Sequence, residues 1–268
     1  MIPVILSLFI FPVITGLILL ILPWKTTKFI VIISALSLSA ISVYLFINID
    51  QPYYFAVPQY LNKVVAGFDI LLLIYFGWIA LRLKNWKIGI LSALQLALLF
   101  YLLRVLPSSH SMQFMVDKLA VFMYLIINII SGIIAFYATR YMEEEDCSLS
   151  RKKYFLSVMF FFIAAMNMVV SADDLEYFYL FFELTTLASF LFIGFRKDPE
   201  SVRNALTALW MNQAGGLVIL AAIFFIAYNG YAVATFSNLL ANDSAAGIQL
   251  PLALLSIAAL IKGAQMPF

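Results

Sequence analysis

Residues 174–195 read DLEYFYLFFELTTLASFLFIGF. From Tyr177 to Phe195 the one formally charged residue is Glu183. A hydrocarbon layer of roughly 30 Å takes about 20 predominantly apolar residues in helical form. The stretch therefore reads as a membrane-crossing helix that carries a carboxyl inside. Glu183 follows Asp174 by nine residues, about 13 Å along a helix rising about 1.5 Å per residue, which is near mid-depth. Glu176 sits nearer the edge and reads as interfacial.

The rest of the chain extends this class. It is 65% hydrophobic and 11% charged, with mean hydropathy +1.02. Soluble domains hold roughly 45–50% apolar and about 25% charged residues. The apolar runs are continuous rather than alternating, which excludes barrel strands. We place nine spans at 2–22, 29–48, 66–82, 88–106, 118–138, 154–172, 175–195, 204–227 and 251–268. The first lacks a basic leader and a small-residue cleavage site, so it reads as a retained helix. The fold class is an all-α polytopic membrane protein of about nine transmembrane helices.

Basic residues orient it. Lys25 and Lys28, then Arg82, Lys84 and Lys87, then Arg140, Arg151, Lys152 and Lys153, then Arg196, Lys197 and Arg203 fall in the odd-numbered connections. The even ones hold Lys63, with Arg104 and Lys118 at span edges, and 173–174 and 228–250 hold none. Cytoplasmic loops are the basic ones. The expected location is a cytoplasmic (inner) membrane of a prokaryote, multi-pass, with the amino terminus outside. The charges form no dense basic patch, so nucleic acid is not a partner; the lipid bilayer is. The single cysteine, Cys147, excludes an internal disulfide and a cysteine-ligated cluster. The acidic run Glu143 to Asp146 reads as a solvated loop.

A second charge lies at depth in ALLSIAALIKGAQMPF, residues 253–268. Lys262 comes eleven residues after Pro251, about 16 Å along a helix. A central Lys costs about 2.5–3.5 kcal/mol on insertion scales, and such residues face a protein interior or a water path. Pro267 removes a backbone donor, Gly263 weakens the helix and Gln265 adds an amide. Broken helices occur at membrane depth where they line a hydrated cavity. Burial disfavours the charged form of an acid or a base, and a nearby opposite charge favours it. A pair whose separation changes therefore passes a proton on demand. The competing readings are a protonated structural carboxyl for Glu183 and a static ion pair for Lys262. Gln95, Asn128, Asn167, Asn212 and Gln213 read as interhelical glue, and Gly215–Gly216 as a close-packing point. His110 lies in a loop without metal-binding partners. No phosphate loop, dinucleotide fingerprint, haem motif or iron–sulfur spacing occurs. No cofactor is expected in this chain, and no catalytic constellation marks it as an enzyme.

DKLAVFMYLIINIISGIIAFYATRYM (117–142), FFFIAAMNMVVSADDLEYFYLFFELTTLASFLFIGF (160–195) and ALIKGAQMPF (259–268) together resemble the antiporter-like membrane subunits. These belong to complex I-type NADH:quinone oxidoreductases, membrane-bound hydrogenases and multisubunit cation/proton antiporters. The resemblance covers about 114–268. It implies two inverted repeats of five helices, each with one broken helix, of which this chain would be the first half with a broken helix at its C-terminal end. It casts Glu183 and Lys262 as proton-translocating groups, with Arg203, Thr207, Gln265 and Pro267 in support. Many relatives carry a lysine where this chain has Thr207, and Arg203 would compensate from the helix end. On this reading 1–113 holds N-terminal helices with a two-helix insertion at 66–106, and 114–268 is a first, incomplete translocating repeat. The front half of a longer frame is the expectation for a chain stopping at Phe268. The resemblance implies proton or cation translocation in a redox-driven NADH:quinone oxidoreductase or hydrogenase complex. Its partners would be other membrane subunits, with redox subunits elsewhere. The alternatives are a subunit of a Na+/H+ antiporter and a non-conducting structural subunit.

Overall fold

The computed structural model describes residues 1–105, 113–229, 235–241 and 247–263. His110, Gln265 and Pro267 lie outside the described residues. The order is α1 (Ile2–Ile21), α2 (Trp24–Asn48), β1 (Tyr53–Ala56), α3 (Tyr60–Arg82), α4 (Trp86–Val105), β2 (Gln113–Val116), α5 (Lys118–Glu144), α6 (Leu149–Ser171), α7 (Leu175–Ile193), α8 (Pro199–Tyr228), α9 (Phe236–Ala241) and α10 (Gln249–Lys262). Among the described residues, α1 to α8 are long and apolar enough to cross a membrane, and α10 is a shorter apolar helix. This is an all-α polytopic membrane fold, since in lipid a helix satisfies its own backbone. The short strands β1 and β2 form a small two-stranded sheet in the connections.

Helix ends follow side-chain chemistry more than hydropathy. Asp117 caps α5 by accepting from Ala120 N at 2.8 Å, and Asp174 caps α7 by accepting from Glu176 N at 2.9 Å. Asp198 caps α8, accepting from Ser201 N at 2.9 Å and from Ser201 Oγ at 2.6 Å, with Pro199 opening the helix. These bonds from Ser201 hold the exposed Asp198 carboxyl below the usual carboxylate range. Several helices start earlier than their apolar runs. For α2 the start is Trp24 rather than 29, for α3 Tyr60 rather than 66, and for α8 Pro199 rather than 204. Lysine, glutamate and arginine are good helix formers, so a polar first turn extends the helix without raising its hydropathy.

The chain divides into two compact units. The first comprises residues 1–55 and 115–171. In it α1 packs on α6, α2 on α5 and α5 on α6. Gly132 lets α5 approach α2: a Cβ there would stand 3.0 Å from the Ala35 Cβ. Pro12 lies inside α1 and has no N–H for the carbonyl of Leu8. Asn167 of α6 supplies the missing donor, Nδ2 to Leu8 O at 3.1 Å. Asn167 and Asn128 also exchange amide hydrogen bonds, both at 3.1 Å, and Tyr124 bonds Ser171. The glue reading of Asn128 and Asn167 holds. Glu143 and Glu144 belong to the last turn of α5, where Glu143 pairs with Lys28 at 2.7 Å and with Arg140 at 3.0 Å. The acidic run is thus partly tied down rather than wholly solvated.

The second unit comprises residues 56–114 and 172–268. There α8 packs on α4, α7 and α10, while α3 packs on α4 and α7. Asp173 N and Asp174 N both donate to Gln113 O at 3.2 Å, and Phe236 N donates to Asp173 O at 2.8 Å. Those contacts join the fourth, sixth and eighth connections. Lys87, in the first turn of α4, stands over the ring of Trp210 in the first half of α8 at 4.7 Å, on the side where α8 follows the seventh connection. Within the first unit, Lys28–Glu143 joins the first and fifth connections, and Lys118–Asp50 at 3.3 Å joins the second and fourth. Each unit therefore keeps odd connections together and even ones together, the alternation that the span count requires. Large outward side chains such as Leu71, Leu81 and Ile74 of α3 are exposed, as lipid-facing residues should be.

Candidate functional site

The site forms within the second unit, around the middle of α7. Glu183 is the ninth of the 19 residues of α7 and is 1% exposed. Its Oε1 accepts from Gln95 Nε2 of α4 at 3.3 Å. Gln95 Nε2 also donates to Gln213 O of α8 at 2.8 Å, and Gln213 Nε2 donates to Ser92 Oγ at 2.9 Å. Ser92 and Gln95 are three apart and so share a face of α4. Two glutamines thus stitch α4 to α8 and present one N–H to the carboxyl on α7. Glu183 Oε2, Gln95 Oε1 and Gln213 Oε1 have no hydrogen-bond partner among the described residues.

Room for the carboxyl comes from α8. A methyl group at Gly216 would overlap Glu183 Oε1 and would stand 2.7 Å from Gln95 Nε2. At Gly215 it would meet the Phe182 ring at 3.1 Å and Ile261 at 3.4 Å. The Gly215–Gly216 pair is a close-packing point, as the sequence indicates. What it accommodates at Gly216 is the acid.

Lys262 is the last residue of α10, next to the cap at Gly263. A cation at a helix C-terminus is favoured by the backbone dipole. The 14 residues of α10 span about 21 Å, less than the roughly 30 Å hydrocarbon layer. Lys262 Nζ donates to Thr186 Oγ1 at 3.0 Å and to Phe182 O at 3.4 Å, and it lies 4.2 Å from the centre of the Phe182 ring. Thr186 in turn donates to Phe182 O at 3.1 Å. Glu183 is one turn away from Thr186 on α7, and the two charges interact through space. Among the described residues no carboxylate lies within the 4.0 Å of a direct ion pair with Lys262. A locked ion pair would leave neither group free to change charge. Here the ammonium rests on a hydroxyl, a carbonyl and a ring, and the carboxyl keeps an open oxygen.

The remaining sequence candidates fall elsewhere. Arg203 and Thr207 are exposed on α8, and Thr207 Oγ1 bonds back to Arg203 O at 3.0 Å. Neither is brought to Glu183. Asn212 bonds Ala208 O of its own helix at 2.9 Å, so among the described residues it joins no second helix. Two residues of the site escape a reading by span. Thr186, fully buried, looks like any helical threonine. Asp69 is 3% exposed in α3 but lies three residues inside a span taken to start at 66. With α3 starting at Tyr60, Asp69 is about 14 Å along the helix, at depth. The rule that singles out Glu183 would have found it. Among the described residues no group of three His, Cys, Asp or Glu side chains is placed to hold a metal ion.

The family model described as NADH:quinone oxidoreductase/Mrp antiporter, TM matches residues 172–268, which include Glu183 and Lys262. A second, described as NADH-Ubiquinone oxidoreductase (complex I), chain 5 N-terminus, matches residues 104–155. The chain belongs to the complex I/Mrp antiporter-like subunit family. Similar members include a putative antiporter subunit, mnhA2, of Staphylococcus haemolyticus, 32% identical over 163 residues, or 59% of this chain and 20% of the relative. The Na(+)/H(+) antiporter subunit A1 of the same organism is 31% identical over 159 residues, 57% of this chain and 19% of the relative. The mnhA2 protein of Staphylococcus saprophyticus is 30% identical over 162 residues, 59% of this chain and 20% of the relative. This antiporter-like subunit spans about a fifth of the length of the curated relatives it matches. Most of α3 and α4 precedes both matched stretches.

Proposed function

We propose that this chain contributes a proton-carrying path to a multisubunit membrane complex, with Glu183 and Lys262 as the charge carriers and residues 114–268 as the translocating repeat. The observation that carries this reading is the state of Glu183. A buried carboxyl at mid-helix keeps one oxygen without a partner among the described residues. A merely structural acid would be fully hydrogen-bonded, whereas intramembrane acids and bases mark ion paths and proton relays. Lys262, held by Thr186 and Phe182 beside it, supplies a charge that biases the acid without locking it.

The complex is a cation/proton antiporter in the reading that the relatives' names favour. A redox-driven NADH:quinone oxidoreductase or hydrogenase complex is the second reading, favoured by the family descriptions. In both, the other partners are membrane subunits, and redox chemistry, where present, lies outside this chain. We place the protein in a prokaryotic cytoplasmic membrane with the amino terminus outside, from the basic odd connections.

The test uses the native complex in inverted membrane vesicles. Glu183→Gln and Lys262→Ala each lose proton translocation while assembly, followed by native electrophoresis, persists. Normal translocation in both variants refutes the proposal. Acidification collapsed by added Na+ identifies the antiporter; acidification driven by NADH or hydrogen identifies the redox complex.

A further inference from the structure

A second intramembrane acid stands near the first. Asp69 of α3 and Glu176 and Tyr179 of α7 line a cavity together with Val65, Ala66, Leu99, Leu220 and neighbouring apolar side chains. Its volume is about 20 Å³, and a site needs about 10–15 Å³ and two to four polar partners to hold a water. The polar partners are present. Asp69 Oδ1 and the Tyr179 hydroxyl are buried and have no hydrogen-bond partner among the described residues. Tyr179 is 1% exposed and Asp69 3%. An acid and a phenol of that burial without partners are costly unless something fills the space between them. Asp69 and Glu183 interact electrostatically, and Tyr179, one turn before Glu183 on α7, interacts with both.

The placement along the helices gives direction. α3 and α7 both start at the end of the unit that carries the even-numbered connections. Glu176 is the second residue of α7 and Glu183 the ninth, while Asp69 is the tenth of α3. The cavity therefore lies between that end and the Glu183 carboxyl.

We propose that this cavity holds ordered water and that Asp69 is a third proton-carrying group, which delivers protons to Glu183 or receives them from it over that water and the Tyr179 hydroxyl. The proton passes as a hydrated proton. Each transfer breaks one O–H bond and forms another, so no co-reactant is needed. The path is then built partly by α3 and α4, helices that largely precede the stretches matched by the family models. The inference rests on Glu183 being a charge carrier.

The experiment measures proton translocation by the assembled native complex in vesicles, with Asp69→Asn, Asp69→Glu, Ala66→Val and Glu183→Gln side by side. Removing a positioned proton-transfer group is expected to slow translocation by about 10²-fold or more in Asp69→Asn. Asp69→Glu restores a large part, which a packing role would not allow. Ala66→Val narrows the cavity and slows translocation with Asp69 intact. Wild-type rates in Asp69→Asn, with Glu183→Gln inactive, overturn this inference and leave the role of Glu183 standing. Wild-type rates in Glu183→Gln overturn both. If Asp69→Asn does not assemble, Ala66→Val decides: slowed translocation supports the hydrated path and an unchanged rate overturns it.

Discussion

The interiors of the two units hold different kinds of polar group. In the first, the buried polar side chains are neutral, and the amides are matched. Asn128 and Asn167 bond one another, Asn167 caps the carbonyl that Pro12 leaves open, and Tyr124 bonds Ser171. Among the described residues, the unpartnered buried side-chain atoms there are the hydroxyls of Thr27 and Ser157. In the second unit the buried side chains include acids, and Asp69 Oδ1, Glu183 Oε2 and Tyr179 OH lack partners among the described residues. Neutral amides at membrane depth hold helices together at modest gain. Ionisable groups with open valences hold nothing together and are costly. Their presence in the second unit is what the proposed proton path accounts for and a purely structural role does not.

Substitutions break or sharpen that contrast. Gly216→Ala has the largest expected effect, because its methyl group falls on Glu183 Oε1. Overpacking of this kind costs roughly 1–3 kcal/mol, and the displaced carboxyl should remove most translocation; vesicle acidification and thermal unfolding of the detergent-solubilised complex measure the two losses. Gln95→Leu comes next. It removes the donor to both Glu183 and Gln213 O and should cost about 1–3 kcal/mol for the groups left unpaired, with translocation slowed but not abolished. Asn167→Leu probes the neutral side. It leaves the Leu8 carbonyl and Asn128 Oδ1 without the Asn167 donor, with an expected loss of about 0.6–2 kcal/mol, read as a lower unfolding temperature at an unchanged translocation rate.

The smallest effect concerns a helix end. The Asp198 carboxyl has a lower pKa in the fold than in the unfolded chain. Its capping contribution is complete above the unfolded value and is lost as pH falls through the folded one. Acidification should therefore speed amide hydrogen exchange at Ser201, and Asp198→Ala should exchange fast at every pH. An exchange rate at Ser201 that follows only the intrinsic pH dependence would refute the cap.

Much of this was legible in the chain. The apolar runs give α1 to α8 because a bilayer admits few alternatives to the helix. Glu183 and Lys262 stand out because charge at depth is rare, and the structure brings them to adjacent helices. Hydropathy conceals helix starts, since Lys25 and Lys28 extend α2, and Asn62 and Lys63 lie in the first turn of α3, without looking apolar. That is why Asp69, only three residues inside a span drawn from 66 but nine residues past Tyr60, does not stand out in the sequence. Contacts between distant segments were hidden too: nothing in residues 86–105 says that Gln95 meets Glu183, 88 positions later. Arg203 and Thr207, chosen by resemblance, lie on an exposed face, because resemblance aligns positions and not the direction of a side chain.

The most direct test of the central claim compares Glu183→Gln with Asn167→Leu in the same native complex, measuring proton translocation per assembled complex in vesicles. Both changes alter a buried polar side chain at membrane depth. The Glu183→Gln complex should assemble and not translocate, while Asn167→Leu should be less stable and translocate at the normal rate. Translocation that survives Glu183→Gln, or fails equally in both variants at equal assembly, would contradict it.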